Sequence, residues 1–452
     1  MGIGGAGMSA IARVMHEQGI RVSGCDMKDG PLLPPLREAG IPVEVGHEAH
    51  HLDLYKPDAL VISSAIPPGN PEVKAAEAHD IPVYKRADIL SLLMAEKVGI
   101  AVAGTHGKTT TTAMIAHVLT VTGFDPTFII GGVSQDLGTN ARAGEGRGFV
   151  IEADEYDGMF LGLRPKVAVL TTLEMDHPDM FTSLGEVRKL FGRFLDRVPR
   201  GGVIIGGYDA AEARKLLKKQ AEQGVTTITY GTRGGDWRAL SPEVNLMGGM
   251  SFVARHAEHD DNLIHLRVPG VHNVQNAIGA LAASVAAGVN PGDAAAALCS
   301  FTGVGRRFEV KGEVRGVTVI DDYAHHPTAI AATLRAAQGR YPNASIWAVW
   351  EPHTFSRVAV MPGEFAAALS VAEHVIVTDV FRSRDTDDYG ITPQGLVDRM
   401  VDHPDARHIS SFEAIIAHIV KKAKPGDVVL VMSAGEATQI AAGLVDALSH
   451  EE

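Results

Sequence analysis

The constraint that most narrows this chain is the junction at Val98-Gly-Ile-Ala-Val-Ala103, an apolar run that leads directly into Gly104-Thr-His-Gly-Lys-Thr-Thr-Thr-Thr112. A buried strand, a glycine turn and a helix opening on Lys-Thr form an anion cradle. Backbone N–H groups and the helix N-terminus face a phosphate, Lys108 neutralises it, and the Thr109 hydroxyl can hold Mg²⁺. Such a unit needs a parallel sheet around it, so the chain is expected to be α/β, with chemistry on ATP. The spacing is shorter than the full G-x-x-x-x-G-K-[ST] pattern, because Val102 stands where the first glycine belongs.

Composition removes several classes. The chain has 452 residues, 45% hydrophobic and 21% charged, a length that suits about three domains. A formal net charge of −13 argues against nonspecific binding to nucleic acid or to an anionic membrane, so phosphate affinity must be a local property. Cys25 and Cys299 are the only cysteines and lie far apart, which fits a reducing cytoplasm and gives no disulfide framework or C-x-x-C metal site. No secretory signal is expected, and the Ala-rich stretch from Ala277 to Val289 is too short to span a bilayer and reads as a buried helix.

Short apolar strands alternate with helical patterns throughout. They are expected at Arg21 to Cys25, Ile41 to Val45, Ala59 to Ser63 and Ile81 to Tyr84, then at Phe149 to Ala153 and Val167 to Thr172. A strand-rich interval runs from Trp237 to Val268. A last series falls at Val317 to Ile320, Ile346 to Trp350, Val375 to Thr378 and Val428 to Met432. The boundaries expected from this alternation are 1–97, 98–307 and 308–452.

Other motifs are weaker singly. Gly2-Ile-Gly-Gly-Ala-Gly7 matches G-x-G-x-x-G, and Asp26 lies 19 positions beyond Gly7, the arrangement of a dinucleotide site; alone it would suggest NAD and an oxidoreductase, but the strand that should precede it is missing. Glu152-Ala-Asp-Glu155 and Asp176-His177 follow apolar strands, where carboxylates can bind Mg²⁺ or simply cap helices. His47-Glu-Ala-His-His51 formally matches the zinc-peptidase H-E-x-x-H but sits in a polar connection, so surface histidines are expected there. Asp321-Asp-Tyr-Ala-His-His-Pro327 and Glu351-Pro-His-Thr-Phe-Ser-Arg357 are strand-end loops that could recognise a small carboxylated amine.

Taken in order, these segments resemble the Mur ligases of peptidoglycan synthesis, along with Ser63-Ser-Ala-Ile66, Asn70-Pro-Glu72, His272-Asn-Val-Gln-Asn276 and Gly305-Arg-Arg-Phe308. The resemblance covers almost the whole chain. It implies a Rossmann-like N-terminal domain for a UDP-sugar, a central P-loop ATPase-type α/β domain with added antiparallel strands, and a Rossmann-like C-terminal domain for the amino acid. It further implies an ATP-dependent ligase that joins L-alanine to the carboxylate of UDP-N-acetylmuramate through an acyl phosphate, using two Mg²⁺ ions. A relative adding a peptide or another amino acid to the same UDP-sugar is the alternative.

The resemblance also assigns residues. Gly104, Thr105, His106, Gly107, Lys108, Thr109 and Thr110 would hold the ATP phosphates, Asn273 and Asn276 the adenine region, and Arg307 and Asp322 would join them from the third domain. Thr109, Glu152 and His177 would serve the metals. Gly4, Gly5, Ala6, Gly7, Asp26, Ser63 and Ser64 would hold the UDP moiety. Tyr323, His325, His326, His353 and Arg357 would line the amino-acid pocket, with His353 or His325 a candidate base for the amine and Arg357 the partner of its carboxylate. The chain departs from the family pattern at Thr172, at Thr354 and at Ser433-Ala-Gly435.

Overall fold

The structure, a computed structural model, describes residues 1–67 and 69–450. Glu451 and Glu452, the end of the third expected domain, lie outside the described residues. The fold is three-domain α/β. By packing, the chain divides into two compact units: Met1–Leu173 with Val187–Arg238 and Ala277–Leu298, and Glu174–Glu186 with Ala239–Asn276 and Cys299–Glu452.

In the first unit the N-terminal strands are shorter than expected. Gly24–Asp26 pairs in parallel with Val43–Val45, and Leu60–Ile62 with Val83–Lys85, as two separate two-stranded sheets. Met1–Ile3 bridges them: the Met1 amine donates to Val61 O at 2.7 Å, while Gly2 N and Ile3 N donate to Cys25 O at 2.9 and 3.1 Å. A cavity of about 600 Å³, lined by Met1, Ile3, Cys25, Leu60 and Val61 among others, lies beside this tie. Pairing on one side only explains why each ladder stops after three residues where the apolar runs extend over four or five.

The larger sheet of this unit is built on Val98–Ala103, which Gly148–Glu152 and Val167–Leu170 flank in parallel. Ile100 to Ala103 are fully buried, as an apolar run in a central parallel strand requires. Val203–Gly207 and Thr226–Gly231 extend one side, and Thr127–Ile129 with antiparallel Ala141–Arg142 the other. Register sets Val102 opposite Glu152, so the phosphate loop and the acidic strand end leave the sheet side by side. The helix Val271–Ala286 contains most of the expected Ala-rich helix, with Ala277, Ile278 and Leu281 fully buried.

In the second unit, Met250–His256 and His259–Leu266 form an antiparallel hairpin within the expected strand-rich interval. A six-stranded sheet runs Glu309–Val314, Val317–Asp322, Val428–Met432, Ile346–Trp350, His374–Val377, Ala406–His408. All neighbours are parallel except the first pair. Alternate residues feed opposite cores: Ile320, Trp350 and Leu430 pack with Leu334 and Phe365, while Val319, Trp347 and Val429 pack with Ile440 and Leu444. That two-faced burial defines a doubly wound layer, and its strand ends carry Asp321, Asp322 and Glu351.

Candidate active site

The phosphate loop takes its shape from glycine. Gly104 has φ +136 and Gly107 φ +80, conformations costly for an L side chain, and a Cβ on Gly104 would collide with Thr171 Oγ1. Thr171 Oγ1 donates to His106 O at 2.5 Å, Thr105 N donates to Thr172 O at 2.9 Å, and His106 N donates to Thr172 Oγ1 at 3.0 Å. Thr172 therefore splints the loop through its hydroxyl. The helix Lys108–Val121 begins at the turn, so its first N–H groups and positive end face the loop.

Lys108 Nζ donates to Gly104 O at 2.6 Å and to Glu155 Oε1 at 2.9 Å. Burial pulls the lysine's pKa down, but Glu155, Glu152 and Asp154 outweigh it and leave the net shift upward, so the cation is secure. Thr109 Oγ1 donates to Glu152 Oε1 at 3.1 Å, and Gly131 N donates to Glu152 Oε2 at 2.8 Å. A Cβ on Gly131 would collide with that carboxylate, so glycine there lets the backbone cradle it. Thr109 and Glu152 thus offer only oxygen, the donor set that a hard divalent cation such as Mg²⁺ requires.

In the glycine-rich loop Gly2–Gly7, Gly4 N donates to Asp26 Oδ2 at 2.8 Å, so Asp26 braces the loop backbone. The helix that follows starts at Ala6, and a Cβ on Gly7 would strike the Arg86 guanidinium, itself paired with Asp154 at 3.3 Å. Ser63 packs against Gly2 and accepts from Ala65 N at 3.3 Å.

The second unit gathers another set. Arg357, almost wholly buried, donates from Nε to Asp176 Oδ1 at 2.9 Å and from Nη1 to His353 O at 3.1 Å; its Nη1 also lies 3.1 Å from His353 Nδ1. Burial alone would raise the Asp176 pKa, but Arg357, His177, His325 and His326 hold it well below the ordinary carboxylate value. The ring of His353 lies 5.9 Å from that of His325, which lies 5.4 Å from Tyr323. Burial, reinforced by Arg357, keeps both histidines neutral: His325 is well below its ordinary value and His353 is lowered to about 4. Arg307 lies over the Tyr323 ring at 4.8 Å.

Several expected site residues have structural work here. His326 caps the helix Pro327–Arg340 by accepting from Thr328 N, and its Nε2 reaches Met175 O at 3.2 Å. Asp322 is buried and accepts from Phe308 N and Ala324 N, both at 2.7 Å; burial raises its pKa. Asn273 donates to Pro269 O at 2.7 Å, and Asn276 donates to Asn273 at 3.1 Å. Arg357, expected at a substrate carboxylate, spends its guanidinium on Asp176 and His353. His177 adopts φ 52 in a turn where its N–H donates to Asp176 Oδ1 at 2.7 Å.

The sequence reading missed the splints. Thr171, Glu155, Gly131 and Arg86 hold the phosphate loop and the glycine-rich N-terminal loop; Glu155 lay within a quoted motif and Thr171 at the end of the expected strand Val167 to Thr172, while neither of the other two was singled out. Buried Glu351 accepts from Ser433 Oγ at 2.5 Å and from Ala437 N at 3.2 Å, so Ser433 keeps a strand-end carboxyl in place. The expected surface histidines need correction: His51 is buried against Glu72, because the short helix His50–Tyr55 turns its ring inward. His47 precedes that helix, so the one-face geometry of H-E-x-x-H is not formed.

A parallel α/β chain with a phosphate loop, an acidic strand end beside it and glycine-rich nucleotide turns is the architecture of a nucleotide-dependent enzyme. Three family descriptions match it: "Mur ligase family, catalytic domain" over residues 1–98, "Mur ligase middle domain" over 102–284, and "Mur ligase, glutamate ligase domain" over 306–435. The chain belongs to the Mur ligase family. It is 42% identical over 450 residues to the UDP-N-acetylmuramate--L-alanine ligase of Paenarthrobacter aurescens, spanning 99% of this chain and 96% of that protein. With the Alkaliphilus metalliredigens protein of the same name it shares 37% over 443 residues, 98% of this chain and 95% of that one. The crystal structure of UDP-N-acetylmuramate-alanine ligase from Thermotoga maritima superposes with TM-score 0.82 at 27% identity, covering 99% of this chain and 97% of that chain. A murein peptide ligase from Psychrobacter arcticus superposes with TM-score 0.71 at 29% identity, covering 100% and 98%.

Proposed function

We infer that this chain is an ATP-dependent carboxylate–amine ligase that joins L-alanine to the carboxylate of UDP-N-acetylmuramate in peptidoglycan precursor synthesis. The observation that carries the ATP half is the phosphate loop: a protonated Lys108 held at the loop carbonyl, and Thr109 hydrogen-bonded to Glu152. Near-full-length identity to alanine-adding relatives supports the choice of substrates.

In this reading Gly104 to Thr110 bind the ATP phosphates, Lys108 turning from Glu155 to a phosphate oxygen as the nucleotide enters. Thr109 and Glu152, with His177 serving a second ion, hold Mg²⁺, which supplies charge neutralisation for a carboxylate approaching a polyanion. The muramate carboxylate attacks the γ-phosphorus, the bond to ADP breaks, and the acyl phosphate forms. The alanine amine then attacks the acyl carbon and phosphate leaves. His353 is the candidate acceptor of the amine proton: burial and Arg357 lower it to about 4, so its ring is neutral and open to a proton at neutral pH but is a weak base. Gly4 to Gly7, Asp26, Ser63 and Ser64 hold the UDP moiety, Asn273, Asn276, Arg307 and Asp322 support the nucleotide, and Tyr323, His325 and His326 border the amine. The expected domains 1–97, 98–307 and 308–452 carry these roles in turn. Among the described residues no helix is long and apolar enough to cross a membrane, and the proposed place of work is the cytoplasm, where ATP and the UDP-sugar are found.

The likeness to a murein peptide ligase keeps a peptide acceptor as the second reading. Phosphate release from ATP tests both. It should require UDP-N-acetylmuramate and L-alanine together; release that instead requires a peptide selects the second reading, and release with no acceptor pair removes both.

A further inference from the structure

Away from the phosphate loop, three potential ligands meet in the N-terminal region. Cys25 leaves the strand Gly24–Asp26, His51 the helix His50–Tyr55, and Glu72 the first turn of Pro71–Ala78. All three are buried, at 3%, 7% and 2% exposure. Cys25 Sγ lies 3.2 and 3.3 Å from the two Glu72 oxygens, and His51 Nδ1 lies 2.9 Å from Glu72 Oε1. One ligand atom from each falls within 4.8 Å of the others.

The surroundings fix the carboxylate from outside the triad. Asn70 accepts from Glu72 N at 2.9 Å, Glu48 N donates to Glu72 Oε1 at 3.0 Å, and Asn70 Nδ2 lies 3.0 Å from His47 Nδ1. The three ligands also line the 600 Å³ cavity beside Met1–Ile3, which gives an ion a way in.

We propose that Cys25, His51 and Glu72 form a binding site for a borderline-soft divalent cation of the Zn²⁺ class. Tetrahedral zinc with Zn–S of about 2.3 Å and Zn–N and Zn–O of about 2.0–2.2 Å sets its ligand atoms roughly 3.3–3.7 Å apart, so the Cys25–Glu72 and His51–Glu72 contacts need to open by about half an ångström or less, and Cys25 and His51 already lie within 4.8 Å of each other. The charge also closes: one divalent ion, one thiolate, one carboxylate and a neutral imidazole make a neutral set, which a buried site tolerates far better than an isolated charge. Binding converts the Cys25 thiol to thiolate and releases that proton to solvent, one per ion. The thiolate separates this site in kind from the all-oxygen pair Thr109 and Glu152, which suits Mg²⁺.

The test uses the purified, reduced, metal-free full chain and cobalt(II) as the probe. One equivalent of Co²⁺ should produce the near-ultraviolet thiolate-to-cobalt charge-transfer band, and Zn²⁺ should bleach it. The band should vanish in Cys25→Ser and persist in Cys299→Ser, which removes the chain's other cysteine. His51→Gln, which leaves the thiol in place, should weaken Co²⁺ binding at least tenfold and so decides the matter even if Cys25→Ser does not fold. No band at saturating Co²⁺, a band that survives Cys25→Ser, or unchanged affinity in His51→Gln overturns the proposal. None of these outcomes depends on ATP turnover.

Discussion

Replacing Glu155 by Gln separates what the Lys108–Glu155 pair does for folding from what it does for nucleotide binding. The two charges sit 2.9 Å apart with side-chain exposures of 15% and 4%. Removing one partner of a fully buried pair costs about 3–5 kcal/mol. Here Lys108 keeps the Gly104 carbonyl and the fields of Glu152 and Asp154, and Gln can still accept a hydrogen bond, so a loss of about 2 kcal/mol is expected. If Lys108 turns to a phosphate when ATP binds, most of that loss disappears in the complex. By linkage, the stability recovered there must reappear as tighter binding, and about 1.4 kcal/mol of recovery corresponds to roughly tenfold in Kd. Urea unfolding with and without a non-hydrolysable ATP analogue plus Mg²⁺, together with calorimetric titration of the analogue, measures both sides of the cycle. Equal destabilisation in the two states with an unchanged Kd would show that the lysine keeps Glu155 throughout, and would refute the phosphate role assigned to it.

Two further outcomes follow from the same geometry. Gly131→Ala drives a methyl group into the Glu152 carboxylate, so the Mg²⁺ concentration for half-maximal phosphate release should rise about tenfold or more with the fold intact; an unchanged Mg²⁺ dependence would separate Glu152 from the metal. His272 and His353 both sit at about 4 because burial disfavours their charged forms, so the unfolded chain takes up their protons first as pH falls. The stability they contribute is complete above pH 6.5 and is lost between about 6.5 and 4, at up to about 1.4 kcal/mol per pH unit for each, and urea midpoints across that window should fall less steeply in His353→Gln.

How far the sequence could be read depended on whether a residue's role is local. The phosphate loop was legible because strand, glycine turn and helix are contiguous, and the conformations of Gly104 and Gly107 leave little alternative. Ile346–Trp350 and Val428–Met432 were placed to the residue, since central parallel strands buried on both faces are written as unbroken apolar runs. Gly24–Asp26 and Leu60–Ile62 came out shorter than their apolar runs, because strand length there depends on a neighbour to pair with and not on composition.

The partners of the charged groups were not legible. Arg357 and Asp176 are 181 positions apart, and nothing in either segment announces that they meet. An arginine read in isolation is a free fork for a carboxylate; paired with Asp176 and His353 it adds to the burial that keeps His353 neutral, and it lowers the Asp176 pKa. The same blindness hid Cys25, His51 and Glu72 from one another. Each lies in its own short element, and only the stacking of Gly24–Asp26, His50–Tyr55 and Pro71–Ala78 brings thiol, imidazole and carboxylate together. Three polar side chains behave alike: Thr172 splints His106, Ser433 holds Glu351, and Thr354, at φ 65, caps the helix that carries Arg357. Each acts on a backbone group or a carboxylate of a strand-end loop, and for Thr172 and Ser433 that partner is distant in the chain, so the role leaves no mark in the local sequence.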